Sequence, residues 1–435
     1  MIKLSRDPLS TMSNEEPPQN NNKRRRKEAS PSLLESLPDE LAISCLARLS
    51  RLDLAALSLV SKSCRSFVLS PELCQMRSVM GYAEKYPYIC FSGVYPDPTP
   101  RWFILRKTRI HLIPSHPSQP PEGSAVVALH CGIYVIGGLV NGEATSGVLL
   151  LDCRSHKWHR VTSMRVPRAS PAASLVDGKI YVLGGCKDDK NSSSNWGEVF
   201  DPKTQTWDAL PMPMPMLEEQ EGPETRPSMS SIRDSVLVGD KVYLVDSLNR
   251  SFFYSPSQCK WGRGVQDSTK YIKRDWCAID NLLYSCGSQG RIYCCEPEAG
   301  GLNAKDWDMV EGYPMMLLQA HLKHSRLIHS GGEMASVSES NKTPLHKSST
   351  NLKDLLPGAR AKLTNFGRNI LVFWDTLVGP RHSKSLEISC AELSFVRSTG
   401  FSYNYYGRIE WSDAILTIDP LLYHPKLLYS VSVDV

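Results

Sequence analysis

The feature that most constrains this chain is a repeat. "AVVALHCGIYVIGG" ends on Gly137 and Gly138, and "AASLVDGKIYVLGG" ends on Gly184 and Gly185, 47 residues later. A second landmark recurs downstream of each: "LLLDCRSHKW" ends on Trp158 and "EVFDPKTQTW" on Trp207, 49 residues apart. Two unrelated landmarks that share nearly one period mark stacked copies of a single structural unit. Weaker copies follow: "SVLVGDKVYLVD" with "FFYSPSQCKW" ending on Trp261, then "CAIDNLLYSCG" with a segment ending on Trp307. The faintest comprises "KLTNFGRNILVFWD", "SLEISCAELSFV" and "GRIEWSDAIL".

The unit has a physical logic. Val-Ala-Leu and Ile-Tyr-Val-Ile are strand runs separated by a glycine-containing turn. Paired glycines without Cβ atoms let another element approach the backbone closely. Asp201-Pro202 and Ser255-Pro256 supply turn chemistry before a last short strand. The tryptophan of that strand offers a large packing surface to a neighbouring unit. Four strands in just under fifty residues, repeated, predict an all-β propeller across residues 86–435. Trp102, Trp158, Trp207, Trp261, Trp307 and Trp411 suggest six blades, with five as the alternative. "YPDPTPRWFIL" around Trp102 reads as a lone final strand whose missing partner "LLYSVSVDV" could supply, closing the ring without open edges.

Residues 32–80 have a different texture. "LPDELAISCLARLSRLDLAALSLVSKSCRSFV" has helical spacing but apolar positions on more than one stripe, more than a single buried face requires. Pro38, Asp39 and Glu40 suit a helix start. A second helix is expected near Asp53, and a third at Ser70-Pro71 with a serine cap. A domain this small is marginal alone, so the surplus apolar surface is expected to serve a partner. Residues 1–31 are polar and contain the basic run Lys23, Arg24, Arg25, Arg26 and Lys27, a nuclear-import candidate within an expected disordered tail. Two stretches interrupt the repeat period. "PMPMPMLEEQEGPETRP", from Pro211 to Pro227, reads as a proline-rich loop rather than a soft copper site of its alternating methionines, and residues 313–356 read as a long disordered insertion.

Two resemblances follow from these residues. "LPDELAISCLARLSRLDLAALSLVSKSCRSFVLSPEL" resembles an F-box, apart from Cys64 where that family usually carries an aromatic residue. The double glycines and spaced tryptophans resemble kelch repeats, and the combination resembles the plant F-box/kelch-repeat family. The resemblance implies a small α-helical F-box domain followed by a kelch β-propeller. It implies docking on a Skp-type adaptor, and through it a cullin–RING ubiquitin ligase, through Leu37, Pro38, Ile43, Leu46, Leu57 and Val60. The propeller would hold a target protein of unknown identity. The structural kelch positions would be Gly137, Gly138, Gly184, Gly185, Trp158, Trp207, Trp261 and Trp307.

The sequence carries no nucleophile elbow, phosphate loop or metal-ligand spacing, so a non-catalytic receptor without a cofactor is expected. A net charge of +5 does not suggest nucleic-acid binding, and no apolar run is long enough for a membrane span. The 13 cysteines are an odd number set among apolar neighbours. They are expected to be reduced, in a protein of the nucleus, the cytoplasm or both. A kelch scaffold acting without ubiquitin transfer is the alternative.

Overall fold

In a computed structural model, the chain folds into a helical domain docked on a six-bladed β-propeller. The structure describes residues 36–92, 99–120, 122–186, 196–210, 232–246, 251–263, 276–287, 290–297, 307–324, 362–380, 385–397, 405–418 and 426–435. The basic run Lys23–Lys27, the PMPMPM stretch and most of the expected insertion lie outside these residues.

Each blade is a four-stranded antiparallel sheet. Blade 2 runs outward through Ala125–Leu129, Gly132–Ile136, Val148–Asp152 and Lys157–Val161. Blade 3 does so through Ala172–Val176, Lys179–Leu183, Gly197–Asp201 and Thr206–Ala209. Blade 4 begins at Ile232–Val238, blade 5 at Cys277–Ile279 and blade 6 at Lys362–Phe366. Blade 1 is composite. Its three outer strands are Lys85–Ser92, Arg101–Arg106 and Arg109–Leu112, and its innermost strand is Lys426–Asp434. The join is a continuous ladder from Lys85↔Asp434 to Ser92↔Lys426, with one register shift at Cys90 and Phe91. Glu84 and Val435 extend it by exchanging backbone hydrogen bonds of 3.1 and 3.0 Å. The ring therefore closes through the strand expected to close it.

The blade count of six matches the tryptophan count, but Trp102 is not equivalent to the others. It lies on the third strand of blade 1, whereas Trp158, Trp207, Trp261, Trp307 and Trp411 lie on outermost strands. Trp102 is fully buried, donates to Gln119 Oε1 at 3.0 Å and stacks on Tyr429. Its segment reads as a lone final strand because the two strands flanking it carry no kelch landmark.

The core is divided among the blade interfaces. One apolar cluster joins blades 1 and 2 through Tyr88, Trp102, Ile133 and Leu151, and another closes blades 6 and 1 through Phe91, Phe103, Leu371 and Phe373. The expected glycine role is visible at both kelch pairs. Gly137 has φ +61°, and a Cβ there would lie 2.6 Å from the Arg168 carbonyl oxygen. Gly185 has φ +71°, and a Cβ would lie 2.6 Å from the Ala169 carbonyl oxygen. Gly138 N–H donates to the Arg168 carbonyl at 2.8 Å, and Ala169 N–H to the Gly185 carbonyl at 2.8 Å. The tryptophans stitch neighbours together: Trp158 Nε1 donates to Pro114 O at 2.7 Å and Trp207 Nε1 to Thr162 O at 2.8 Å. Trp261 packs on Trp196, and Trp307 lies against the cluster between blades 4 and 5. Beneath this seam Arg168 and Glu198 form a fully buried ion pair at 2.9 Å.

Two sequence expectations need correction. Residues 313–324 are not irregular: Tyr313–His324 forms a helix whose Met315, Leu318 and Leu322 are buried with Trp374 and Tyr405. Its apolar spacing was masked by the polar run that follows. Cys74 and Cys131 form a disulfide, whereas the other eleven cysteines are thiols. The pair is 57 residues apart and meets only through domain docking, which local sequence cannot show.

Candidate functional site

The helical domain contains α1 (Asp39–Leu46), α2 (Arg51–Leu57), α3 (Lys62–Val68) and α4 (Pro71–Val79). Three serines cap the last three helices. Ser50 accepts from Asp53 N at 3.2 Å, Ser61 from Cys64 N at 3.0 Å and Ser70 from Leu73 N at 3.1 Å. The expected second helix is thus two helices. Ser61 adopts an extended backbone, breaks the run after Leu57 and starts α3 with its hydroxyl. Cys64, where the F-box pattern usually has an aromatic residue, is buried as a small apolar group.

The residues expected to face an adaptor divide into two sets. Leu46 is only 2% exposed and forms the domain core with Ala47, Leu54 and Leu73, while Ile43 and Leu57 are half-buried against it. Leu46 is therefore a core residue and not a contact surface, because the inward stripe of α1 must be filled from within so small a domain. Leu37, Pro38 and Val60 are exposed, Val60 at 72%. Sequence reasoning overlooked three further members of the surface: Leu41, Leu52 (81% exposed) and Leu59 (78%). Their leucine spacing interleaves with that of the buried leucines, which concealed which side each occupies.

Arg77 was also overlooked. Its guanidinium is buried and donates to the carbonyls of Ala47 (3.1 Å), Leu49 and Tyr82 (2.7 Å). It thereby ties the end of α1 to the exit of α4. It also pairs with Glu84 at 3.5 Å, at the first residue of the ring closure. Burial pushes its pKa down, and the Glu84 carboxylate opposes that shift.

The helical domain meets the propeller at turns of blades 1 and 2. Arg51 donates to the Cys153 carbonyl at 3.3 Å, and its guanidinium lies 4.7 Å from the centre of the Tyr86 ring. Below them the Tyr88 hydroxyl and His156 Nε2 are 3.1 Å apart. Burial lowers the His156 pKa, and the charges of Arg51 and Arg106 lower it further.

Strand order assigns the opposite side. In an up-and-down blade, the connection between strands one and two and that between three and four share one face. Connections between strands two and three, and between blades, share the other. The helical domain sits on the first face, near Cys131 and Cys153. The second face carries the Leu139–Val140 and Glu143–Ala144 hairpin, and the connection from blade 5 to blade 6 carries helix α5 (Tyr313–His324). Tyr313, Met316 and Leu317 of that helix are exposed. Among the described residues, no group of three or more His, Cys, Asp or Glu could hold a metal, and no helix is long and apolar enough to cross a membrane.

A capped helical domain with exposed apolar side chains, set on a six-bladed propeller whose blades 2 and 3 carry the double glycine, has the architecture of an F-box domain joined to a kelch propeller. The sequence matches the F-box domain family over residues 34–76 and the FKB95 Kelch-repeats domain family over residues 102–350. Among similar Arabidopsis thaliana proteins, the putative F-box/kelch-repeat protein At3g24610 is 44% identical over 421 residues, covering 94% of this chain and 96% of the relative. The F-box/kelch-repeat protein At4g39550 is 33% identical over 433 residues, covering 91% and 93%. The chain belongs to the F-box/kelch-repeat family.

Proposed function

We propose that this chain is the substrate-recognition subunit of a Skp–cullin–F-box ubiquitin ligase. The F-box would dock on the adaptor, and the propeller would hold the target. The observation that carries this reading is the uncovered surface of Leu41, Leu52, Leu59 and Val60. These side chains stay exposed although the domain has its own core and is already docked on the propeller. Several large apolar side chains left exposed on so small a domain mark an interaction site. A rigid ring with its connections on the far face suits target selection, because loops on a fixed scaffold vary without disturbing the core. Holding a target beside activated ubiquitin raises its effective concentration, so the receptor needs no catalytic residue of its own. We place this activity in the nucleus or the cytoplasm, with Lys23–Lys27 as the import candidate, on sequence grounds.

The test is capture of a Skp-type adaptor and cullin by the full chain, beside Leu52→Asp/Val60→Asp. Both side chains are exposed, so the variant folds normally. The wild type is expected to capture both proteins and the variant neither. No capture by the wild type would remove the ligase reading and leave a kelch scaffold, whereas equal capture by the two would remove Leu52 and Val60 from the docking surface.

A further inference from the structure

The joint between the two domains contains a covalent link that the receptor role does not require. Cys74 on α4 is bonded to Cys131, in the turn between the first two strands of blade 2, with Cα atoms 6.7 Å apart. Among the described residues, no apolar cluster crosses the joint. The helical cluster contains only residues of the helical domain and its immediate exit, and the nearest propeller cluster only propeller residues. Without the sulfur bridge, polar contacts hold the domains together: the Arg51 guanidinium to the Cys153 carbonyl, the Arg51 backbone N–H and the Arg77 guanidinium to the Glu84 carboxylate, and the Arg51–Tyr86 ring contact. Polar interfaces between domains of one chain permit relative motion. The exit of α4 is braced through Ala83: Gly81 N–H donates to Ser78 O, Tyr82 and Ala83 N–H both donate to Arg77 O, and the Arg77 guanidinium donates back to Tyr82 O. Glu84 is instead paired with Val435 of the propeller, so relative motion falls between Ala83 and Glu84.

We propose that Cys74 and Cys131 are a thiol–disulfide switch that fixes the helical domain against blade 2 when oxidised and frees it to shift about the Ala83–Glu84 connection when reduced. The other eleven cysteines are thiols, nine of them buried. Cys74 is half-buried and reachable, whereas Cys131 is buried behind it. Glutathione disulfide is the oxidant by chemical class. The Cys74 thiolate attacks one of its sulfurs, breaking the glutathione S–S bond and releasing one glutathione thiolate. The Cys131 thiolate then attacks Cys74 Sγ, forming the protein disulfide and releasing the second glutathione. Two electrons pass to glutathione, and the two thiol protons end on its two thiols. Excess reduced glutathione reverses both exchanges. The link closes a 57-residue separation, so oxidation removes freedom from the joint as well as adding a bond. In the receptor proposed above, the switch would set whether the target is held at a fixed or a variable position relative to the adaptor; the bond itself can be tested without that role.

The experiment equilibrates the full chain in buffers of varied reduced-to-oxidised glutathione ratio. Cross-linked peptides are identified by mass spectrometry, and amide exchange is followed across residues 71–92. The expected result is a Cys74–Cys131 peptide that rises with oxidised glutathione. Exchange in α4 and at Tyr82–Glu84 should slow by about tenfold in parallel. Cys74→Ser is expected to abolish the slowing while the propeller melts normally, and Cys45→Ser to leave it intact. Absence of the peptide at every ratio overturns the proposal, as does its formation without any change in exchange. Adaptor capture is scored separately, so failure of the switch does not register as failure of the receptor reading.

Discussion

Replacing Arg77 by methionine tests whether one cation organises the helical domain. The side chain is 4% exposed, so methionine fills similar space without its donors. Three carbonyls lose their partner: Ala47 and Leu49 at the end of α1, and Tyr82 after α4. Hydrogen bonds from a charged donor contribute about 1.5–3 kcal/mol each, against a desolvation penalty of several kcal/mol for burying the guanidinium. The Glu84 ion pair adds little, because that carboxylate is 42% exposed and such pairs contribute about 0–1 kcal/mol. The carbonyls decide the outcome, and the net loss is about 3–5 kcal/mol. A small domain with one modest cluster cannot absorb that, whereas the propeller has separate cores. Amide exchange read by mass spectrometry should therefore accelerate by at least about a hundredfold in α1 and α4 and stay unchanged in blades 3 to 5. Arg77→Lys should fall between, since one ammonium cannot span three carbonyls in the plane of a guanidinium. Unchanged exchange in α1 for Arg77→Met would refute the reasoning.

Two further outcomes follow. Gly137→Ala should lower stability by at least about 2 kcal/mol in denaturant unfolding, because a left-handed backbone and a clash with the Arg168 carbonyl coincide. Gly142→Ala, with φ +79° and open space around it, should lose only about 1 kcal/mol; equal losses would show that the close approach is unimportant. His156 has its pKa lowered in the folded state by burial and by Arg51 and Arg106. The unfolded chain binds that proton more readily, so stability rises with pH and is lost as pH falls below about 6.5. His156→Gln should shrink the difference in melting temperature between about pH 7.5 and pH 5.5, and an unchanged difference would exclude His156 as the cause.

The repeat was legible at blades 2 and 3 because double glycine and tryptophan are each tied there to one contact, a close backbone approach and an indole hydrogen bond from Trp158 or Trp207 to the preceding connection. Blade 1 was harder to see, since the tryptophan on its third strand serves another purpose. Trp102 fills the first blade interface and bonds Gln119. The helical domain was legible as helices but not as faces. Leu46 and Val60 have the same chemistry, and only packing decides that one is core and the other surface. Arg77 and the Cys74–Cys131 pair left no local signal, because their partners are assembled by docking rather than by spacing.

The closing ladder has a consequence for biosynthesis. The strand Lys426–Asp434 follows every other blade strand in chain order, yet it occupies the innermost position of blade 1. Until it leaves the ribosome, the inner edge of Lys85–Ser92 has no partner and blades 6 and 1 cannot share their core. A message cut short before codon 426 would thus yield a ring with an open seam, directly beside the helices. Such a chain could display its apolar helical surface without a finished cargo platform, and its bare strand edge would expose it to aggregation and degradation.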